Sequence, residues 1–272
     1  MKKRKVIVGL LLILMGIGGL SGCQSRTKTG QSSQSSAVSQ KKRAPAKVKW
    51  QPVQNAVKIP ILMYHSISSG NDLRVPASQF QQEMAYLHKH HYYTLTTAEA
   101  IRAFKTNSLP AKKVVWVTLD DAYRDNLTKG LPILQRNHVH ATINVITDYT
   151  THKNHLSLRD MERMKKTGWV DFQSHTVQHL DLNELSDAQQ KTELVQSKRW
   201  LDEKLHQDTQ MICYPAGRAN DATAKLAKQA GYQIGLTTAP GMGSVKDQGW
   251  YNLKRQRVTP GMTTTAFASL LS

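Results

Sequence analysis

Cysteine is nearly absent from this chain, with two residues in 272, Cys23 and Cys213. No disulfide framework can hold such a fold, so a hydrophobic core must. Acid is missing from the whole N-terminal stretch: residues 1–49 contain no Asp or Glu but eleven Lys and Arg. The formal charge of +18 is therefore misleading, because residues 50–272 hold 26 basic against 19 acidic side chains, about +7. A moderate positive charge suits an acidic cell-envelope surface. The one sustained apolar run, residues 6–20, is too short for a comfortable membrane span. Internal repeats of fixed period are lacking as well.

What stands at the N-terminus is a secretory layout. Residues 1–5 carry four positive charges, the apolar run follows, and Leu20-Ser21-Gly22-Cys23 ends it. Small residues before a Cys resemble the bacterial lipobox, in which the Cys is diacylated and becomes the new N-terminus. The expectation is a lipoprotein signal peptide over 1–23 with lipid on Cys23, anchoring the protein to the extracytoplasmic face of a bacterial membrane. An ordinary cleaved signal and an uncleaved anchor are the alternatives. Residues 24–49, rich in Ser, Gln, Lys and Arg, read as a disordered basic tether that can lie on anionic headgroups. An exported chain rarely meets nucleic acid, so none is expected as a partner. With Cys23 lipidated, Cys213 has no partner, and roughly 220 residues remain for one domain with a full core.

Past the tether, short β-branched runs alternate with amphipathic segments. Strands are expected at 59–64, 114–119, 141–146, 170–173, 211–214 and 233–237. Helices are expected at 78–90, 97–105, 127–137, 158–167, 187–206 and 221–230, with Ser78 and Asp187 as caps and Gly168 and Gly231 as stops. That rhythm implies parallel strands with helices outside, in a barrel or a doubly wound sheet. His65, Asp120, Asp121, His175, Tyr214 and Pro215 all fall just after expected strands, the rim where such folds build their sites, which favours the barrel.

Two of these segments carry metal chemistry. Thr118-Leu119-Asp120-Asp121-Ala122 puts adjacent carboxylates at a strand end, where neighbours point opposite ways. One can bind a cation while the other takes a proton; otherwise Asp121 or Asp125 merely caps the next helix. His175-Thr176-Val177-Gln178-His179 supplies imidazoles at i and i+4, one face of a helical turn. Two His and one carboxylate leave coordination positions for water, the mark of a catalytic site.

With these segments the chain resembles the NodB-like polysaccharide deacetylases of carbohydrate esterase family 4, whose first motif reads T-F-D-D-G and second H-[ST]-x-x-H. The resemblance covers most of residues 59–260. It implies a distorted (β/α) barrel of about seven parallel strands as a single catalytic domain, residues 50–272. It further implies Asp120 as catalytic base and Asp121, His175 and His179 as ligands of a divalent metal. Zinc is the family's habit; other divalent transition metals remain compatible. The third motif, R-x-P-[YF], is altered here to Cys213-Tyr214-Pro215-Ala216-Gly217, closer to the Y-P-x-G segment of the poly-β-1,6-N-acetylglucosamine deacetylases. In the family the residue after the Pro offers its N–H to the oxyanion, here Ala216, with Tyr214 and Pro215 supporting the turn. Cys213 stands where the base-steadying Arg is usual, and Arg257 is the candidate replacement.

The family's last motif, L-x-x-H, normally lies near the C-terminus, yet no His follows His206. Leu62-Met63-Tyr64-His65 instead precedes the double Asp, resembling the permuted order of that poly-N-acetylglucosamine subgroup, in which this His is the general acid. The resemblance thus implies an enzyme that removes N-acetyl groups from a cell-surface N-acetylglucosamine polysaccharide, the β-1,6-linked polymer favoured, and releases acetate; a monomer is expected. Peptidoglycan or chitin-oligomer deacetylation, O-acetyl xylan esterase activity and non-catalytic glycan binding are the alternatives. Trp116 reads as core, while Trp250 and Tyr251 are open to sugar stacking or packing. His88, His90, His91, His138, His140, His152 and His155 read mostly as solvated surface.

Overall fold

A computed structural model describes residues 48–272. The expected signal peptide with Cys23, and the tether up to residue 47, lie outside the described residues. Seven strands form the centre: β1 Ile61–Tyr64, β2 Val114–Leu119, β3 Ala141–Val145, β4 Val170–Ser174, β5 Met211–Cys213, β6 Ile234–Pro240 and β7 Leu253–Arg257. All pairings among them are parallel, and β1 pairs with both β2 and β7, so the sheet closes into a barrel. Parallel neighbours need crossovers, and helices supply them. Helices α1 Ala77–Lys89 and α2 Thr97–Thr106 lie between β1 and β2; α3 Leu131–Arg136, α4 Leu158–Lys165, α5 Asp187–Leu205, α6 Asp221–Gln229 and the short α7 Val245–Gln248 each precede the next strand. Helix α8 Thr264–Ser269 follows β7. The described residues form a single distorted (β/α) barrel domain, as the sequence led us to expect.

Strand periodicity sorts the core into two layers. Outward residues Leu62, Tyr64, Val115, Val117, Leu119, Ile143 and Phe172 pack against Phe80, Met84 and Leu87 of α1, Met161 and Met164 of α4, and Leu201 of α5. Inward residues Ile61, Trp116, Met211, Ile234 and Leu253 join Ala100, Ile101 and Ala103 of α2, which plugs the end where the strands begin. Each large apolar side chain buried this way contributes about 1.5–3 kcal/mol. Toward the other end the inward positions turn polar: Thr118, Asn144, Gln173 and Arg255 are all buried. Trp116 is core, its indole N–H donating to Thr142 Oγ1.

Several boundaries differ from expectation. Helix α1 starts at Ala77 after Pro76, which makes no side-chain cap, and α5 is capped by Ser186 in a capping box with Gln189. The expected helix 127–137 is a π-helical turn, Asn126–Gly130, followed by α3. Strand β7 is an addition: its Leu-Lys-Arg-Gln-Arg has a single apolar residue and no run to signal it. Gly168 and Gly231 adopt positive φ of 74° and 93° just past α4 and α6, as expected of helix stops.

Candidate active site

Three consecutive-looking deliveries build the site: His65, Asp120 and His175 are each the first residue beyond β1, β2 and β4. The ladder runs one step past the strands to fix two of them, with Asp120 N–H donating to Tyr64 O at 2.8 Å and His175 N–H to Val145 O at 2.9 Å. Immediately afterwards the chain bends sharply. Asp121 and Ala122 have φ of 69° and 54°, Thr176 and His179 66° and 61°, and Ala216 50°. Each left-handed non-glycine residue costs about 1–2 kcal/mol. The other non-glycine residues with positive φ, His91, Asn107, His138 and His206, sit at helix C-termini, where that conformation closes a helix. Local strain without such a capping role therefore gathers on this rim.

The bend separates the two carboxylates. Asp120 points into the barrel, while Asp121 turns toward the histidines, with Oδ1 3.4 Å from His175 Nε2 and 3.6 Å from His179 Nε2. Ligand atoms of Asp121, His175 and His179 lie within 4.8 Å of one another. The histidine pair does not sit on a helical turn as expected. Residues 175–179 form a loop in which Glu193 Oε2 accepts Val177 and Gln178 N–H and Thr176 Oγ1 accepts His179 N–H. The rings still meet, 4.8 Å apart between centroids.

This set fits a divalent cation. Asp121 Oδ1 is buried without a hydrogen-bond partner, a costly state unless a positive ion faces it. His175 Nδ1 is 2.7 Å from Cys213 O, which makes Nδ1 the donor and leaves Nε2 as the nitrogen that faces Asp121 and can serve a cation. A second grouping, Asp120, His175 and Cys213, shares His175 but suits a metal less well. Burial pushes the Cys213 thiol up, and the Asp120 carboxylate is already engaged.

Asp120 is held by Arg255, whose NH1 and NH2 donate to Oδ1 at 2.9 Å and Oδ2 at 2.7 Å; both side chains are buried, 0% and 2% exposed. Arg255 also donates to Thr118 Oγ1 and Thr237 O, and Asn144 Nδ2 gives Asp120 Oδ1 a further bond at 2.7 Å. Burial alone would raise the Asp120 pKa, but the charge and hydrogen bonds of Arg255, with His175 and His65, hold it well below the usual carboxylate range. His65 Nε2 lies 3.8 Å from Asp120 Oδ2, and burial lowers its pKa against the opposing pull of Asp120 and Asp121.

The expected replacement arginine is thus corrected from Arg257 to Arg255. Both lie on the inward parity of β7, but Arg257 is the last residue of the strand; its side chain is 43% exposed and pairs with Asp72 at 2.8 Å. Alternation from buried Leu253 would have pointed to Arg255 once the strand was recognised. Asn144 was missed too; in Ala-Thr-Ile-Asn-Val its inward parity with Thr142 was the available signal.

The third segment reaches the site through its backbone. Cys213 Sγ is 3.6 Å from Asp120 Oδ1, and Cys213 O holds His175. After Pro215, Ala216 N–H stays out of the bonds closing the turn, which run from Gly217 N–H to Tyr214 O and from Arg218 N–H to Pro215 O. A Cβ on Gly217 would meet Thr238 Oγ1 at 2.2 Å, so this turn admits only glycine there. Tyr214 points outward among Ile212, Leu194 and Ala227, and so supports the turn by packing rather than by contact with Asp120. Trp250 packs on the inner core and Tyr251 donates to Tyr232 O, which answers packing for both. Among the histidines expected at the surface, His140 is buried and His155 half-buried.

The profile of the polysaccharide deacetylase family matches residues 107–235. YxkH of Bacillus subtilis (strain 168), named among polysaccharide deacetylases, is 43% identical over 235 residues, covering 86% of this chain and 84% of its own. A Staphylococcus aureus (strain N315) poly-β-1,6-N-acetyl-D-glucosamine N-deacetylase is 26% identical over 255 residues, 87% of each chain. The structure of Streptococcus pyogenes deacetylase PplD in complex with acetate superposes with a TM-score of 0.77 at 39% identity, covering 80% of this chain and all of that one. The double Asp, the paired histidines and the closed barrel have the same explanation: the chain belongs to the polysaccharide deacetylase family and is an enzyme of it.

Proposed function

We propose that this protein removes N-acetyl groups from an N-acetylglucosamine polysaccharide at the outer face of the bacterial membrane, to which Cys23 anchors it, using a divalent metal held by Asp121, His175 and His179. The observation that carries the reading is the buried, unpartnered Asp121 Oδ1 facing two imidazoles beside a charged Asp120. A cation there, zinc by resemblance to the family, supplies Lewis acidity toward water and the acetamide carbonyl. Asp120, kept ionised by Arg255, takes the proton of the attacking water. Ala216 N–H faces the oxyanion, a donor of the kind worth about 3 kcal/mol in acyl transfer. His65 gives a proton to the departing amine, without which the intermediate would expel hydroxide instead. Acetate and a glucosamine unit result. Among N-acetylglucosamine linkages the β-1,6 linkage is favoured by the Staphylococcus aureus relative and by the position of His65 ahead of the Asp pair.

The test is acetate release by the full chain, zinc-loaded and chelator-treated, on poly-β-1,6-N-acetylglucosamine, peptidoglycan and acetylated xylan. Chelator-sensitive release from an N-acetylglucosamine polymer is expected. Release that survives complete metal removal, or that occurs on ester substrate alone, overturns the reading.

A further inference from the structure

Beside the rim a groove of about 1140 Å³ runs between α3 and α4, floored by the loop bearing Lys153 and His155. It adjoins the catalytic segment directly. Arg124 N–H donates to Asn154 O at 2.8 Å, Leu156 N–H to Ala122 O at 2.9 Å, and Tyr123 stacks on His155 with ring centroids 5.0 Å apart. The groove wall at Arg124 and His155 is thus tied by hydrogen bonds and ring stacking to the segment that carries Asp121.

Its charge is one-sided. Arg124, Lys153, Arg159, Arg163 and Lys166 line it against only Asp160 and Glu162. Asp160 is tied to the α4 cap, accepting from Ser157 N–H and Oγ–H. Arg159, Arg163 and Lys166 recur at four and three residues, on the face of α4 opposite buried Met161 and Met164. A few surface cations elsewhere pair with acids, as Lys58 does with Asp247, Lys198 with Asp202 and Arg218 with Asp181, but here five cations share one groove. None of the five groove cations has an ion-pair or side-chain hydrogen-bond partner among the described residues. Such a surface fits anions and conflicts with the product of deacetylating a neutral homopolymer, since every glucosamine formed is an ammonium at neutral pH.

Resting on the deacetylase reading above, we propose that this groove holds an anionic stretch of the substrate next to the N-acetylglucosamine being deacetylated, so that the acceptor is an acidic wall polysaccharide rather than a neutral homopolymer. The shared chemistry is a repeated anion on a glycan chain, either phosphodiester or carboxylate. This displaces the neutral β-1,6 homopolymer as preferred substrate while leaving the reaction unchanged.

The test compares the wild-type full chain with Lys153→Gln/Arg159→Gln/Arg163→Gln/Lys166→Gln, and with a charge-keeping control, Lys153→Arg/Lys166→Arg. Cosedimentation with bacterial walls carrying phosphodiester polymers, and with the same walls stripped of phosphate, reads binding without turnover. Acetate release from the soluble charged polymer and from a neutral N-acetylglucosamine oligomer reads catalysis. The quadruple variant is expected to bind walls about tenfold more weakly and to raise KM for charged polymer about tenfold at unchanged kcat. Both constants on the neutral oligomer should hold, added salt should weaken the wild type alone, and the control should behave as wild type. An effect that vanishes on phosphate-stripped walls assigns phosphodiesters; one that persists assigns carboxylates. Equal wall binding and equal KM in wild type and quadruple variant overturn the proposal. Charge-dependent wall binding by a chain that deacetylates nothing would sink the reaction and spare the groove.

Discussion

Two carboxylates are buried on opposite sides of the same strand wall, and their fates differ. Asp120, inside the barrel, meets the Arg255 guanidinium and the Asn144 amide, and stays ionised. Glu83, outside the barrel on α1, meets the Tyr64 hydroxyl at 2.9 Å and the Gln79 amide at 2.8 Å, both neutral. Burial pushes Glu83 up to about 7, despite those hydrogen bonds. Hydrogen bonds alone do not keep a buried acid charged; a desolvated cation does. A carboxylate that must work as a base needs the partner that Asp120 has and Glu83 lacks.

Removing the cation should erase the contrast. Arg255→Gln strands a buried charge and is expected to cost about 3–5 kcal/mol in urea unfolding, with nearly all acetate release gone; unchanged stability would show that the pair does not govern Asp120. Replacing the acid separates base from ligand: Asp120→Asn should lower turnover about 100- to 10,000-fold while zinc content stays, whereas Asp121→Asn should lose the zinc. Equal metal loss in the two variants would undo that division of roles. His65→Ala should keep fold and metal while turnover drops about 100-fold or more, and wild-type turnover would remove His65 from the reaction.

The Glu83 side of the comparison is read through pH. The folded protein holds the Glu83 proton to about 7, while the unfolded chain releases it near the ordinary 4.5. Its contribution to stability is therefore full below 4.5 and is lost as pH rises toward 7, a slope worth about 2–3 kcal/mol. Glu83→Gln should flatten that part of the urea midpoint curve, and a slope that persists would place the titration elsewhere. The smallest effect is expected at Ala122, where the family motif carries Gly and φ is 54°. Ala122→Gly relieves backbone strain but deletes a buried methyl, so stability should move by less than about 1 kcal/mol with activity kept. A larger loss of activity would mean that the methyl positions Asp121.

Much of this was legible in the sequence because apolar runs announce strands and because Asp120, Asp121, His175 and His179 stand directly after two of them. Strand β7 was not, since a barrel's inner face near the rim is polar and Leu-Lys-Arg-Gln-Arg has no apolar alternation to read. Arg255 was hidden with it, and the more C-terminal Arg257 attracted the role. The histidine loop shows the opposite case: the i and i+4 spacing brought the rings together, yet through Glu193 and left-handed backbone rather than a helical turn. Neither long-range hydrogen bonds nor positive φ leave a periodic trace in composition.

Because the first strand is zipped to the second on one side and to the last on the other, the wheel has no privileged starting spoke. His65 and Asp120, the proposed acid and base, and the Arg255 guanidinium come from three adjoining spokes, although Arg255 lies 135 positions from Asp120 along the chain. Evolution could therefore move the acid-bearing His from the tail of the gene to its head, and the reacting atoms would still find the same neighbours.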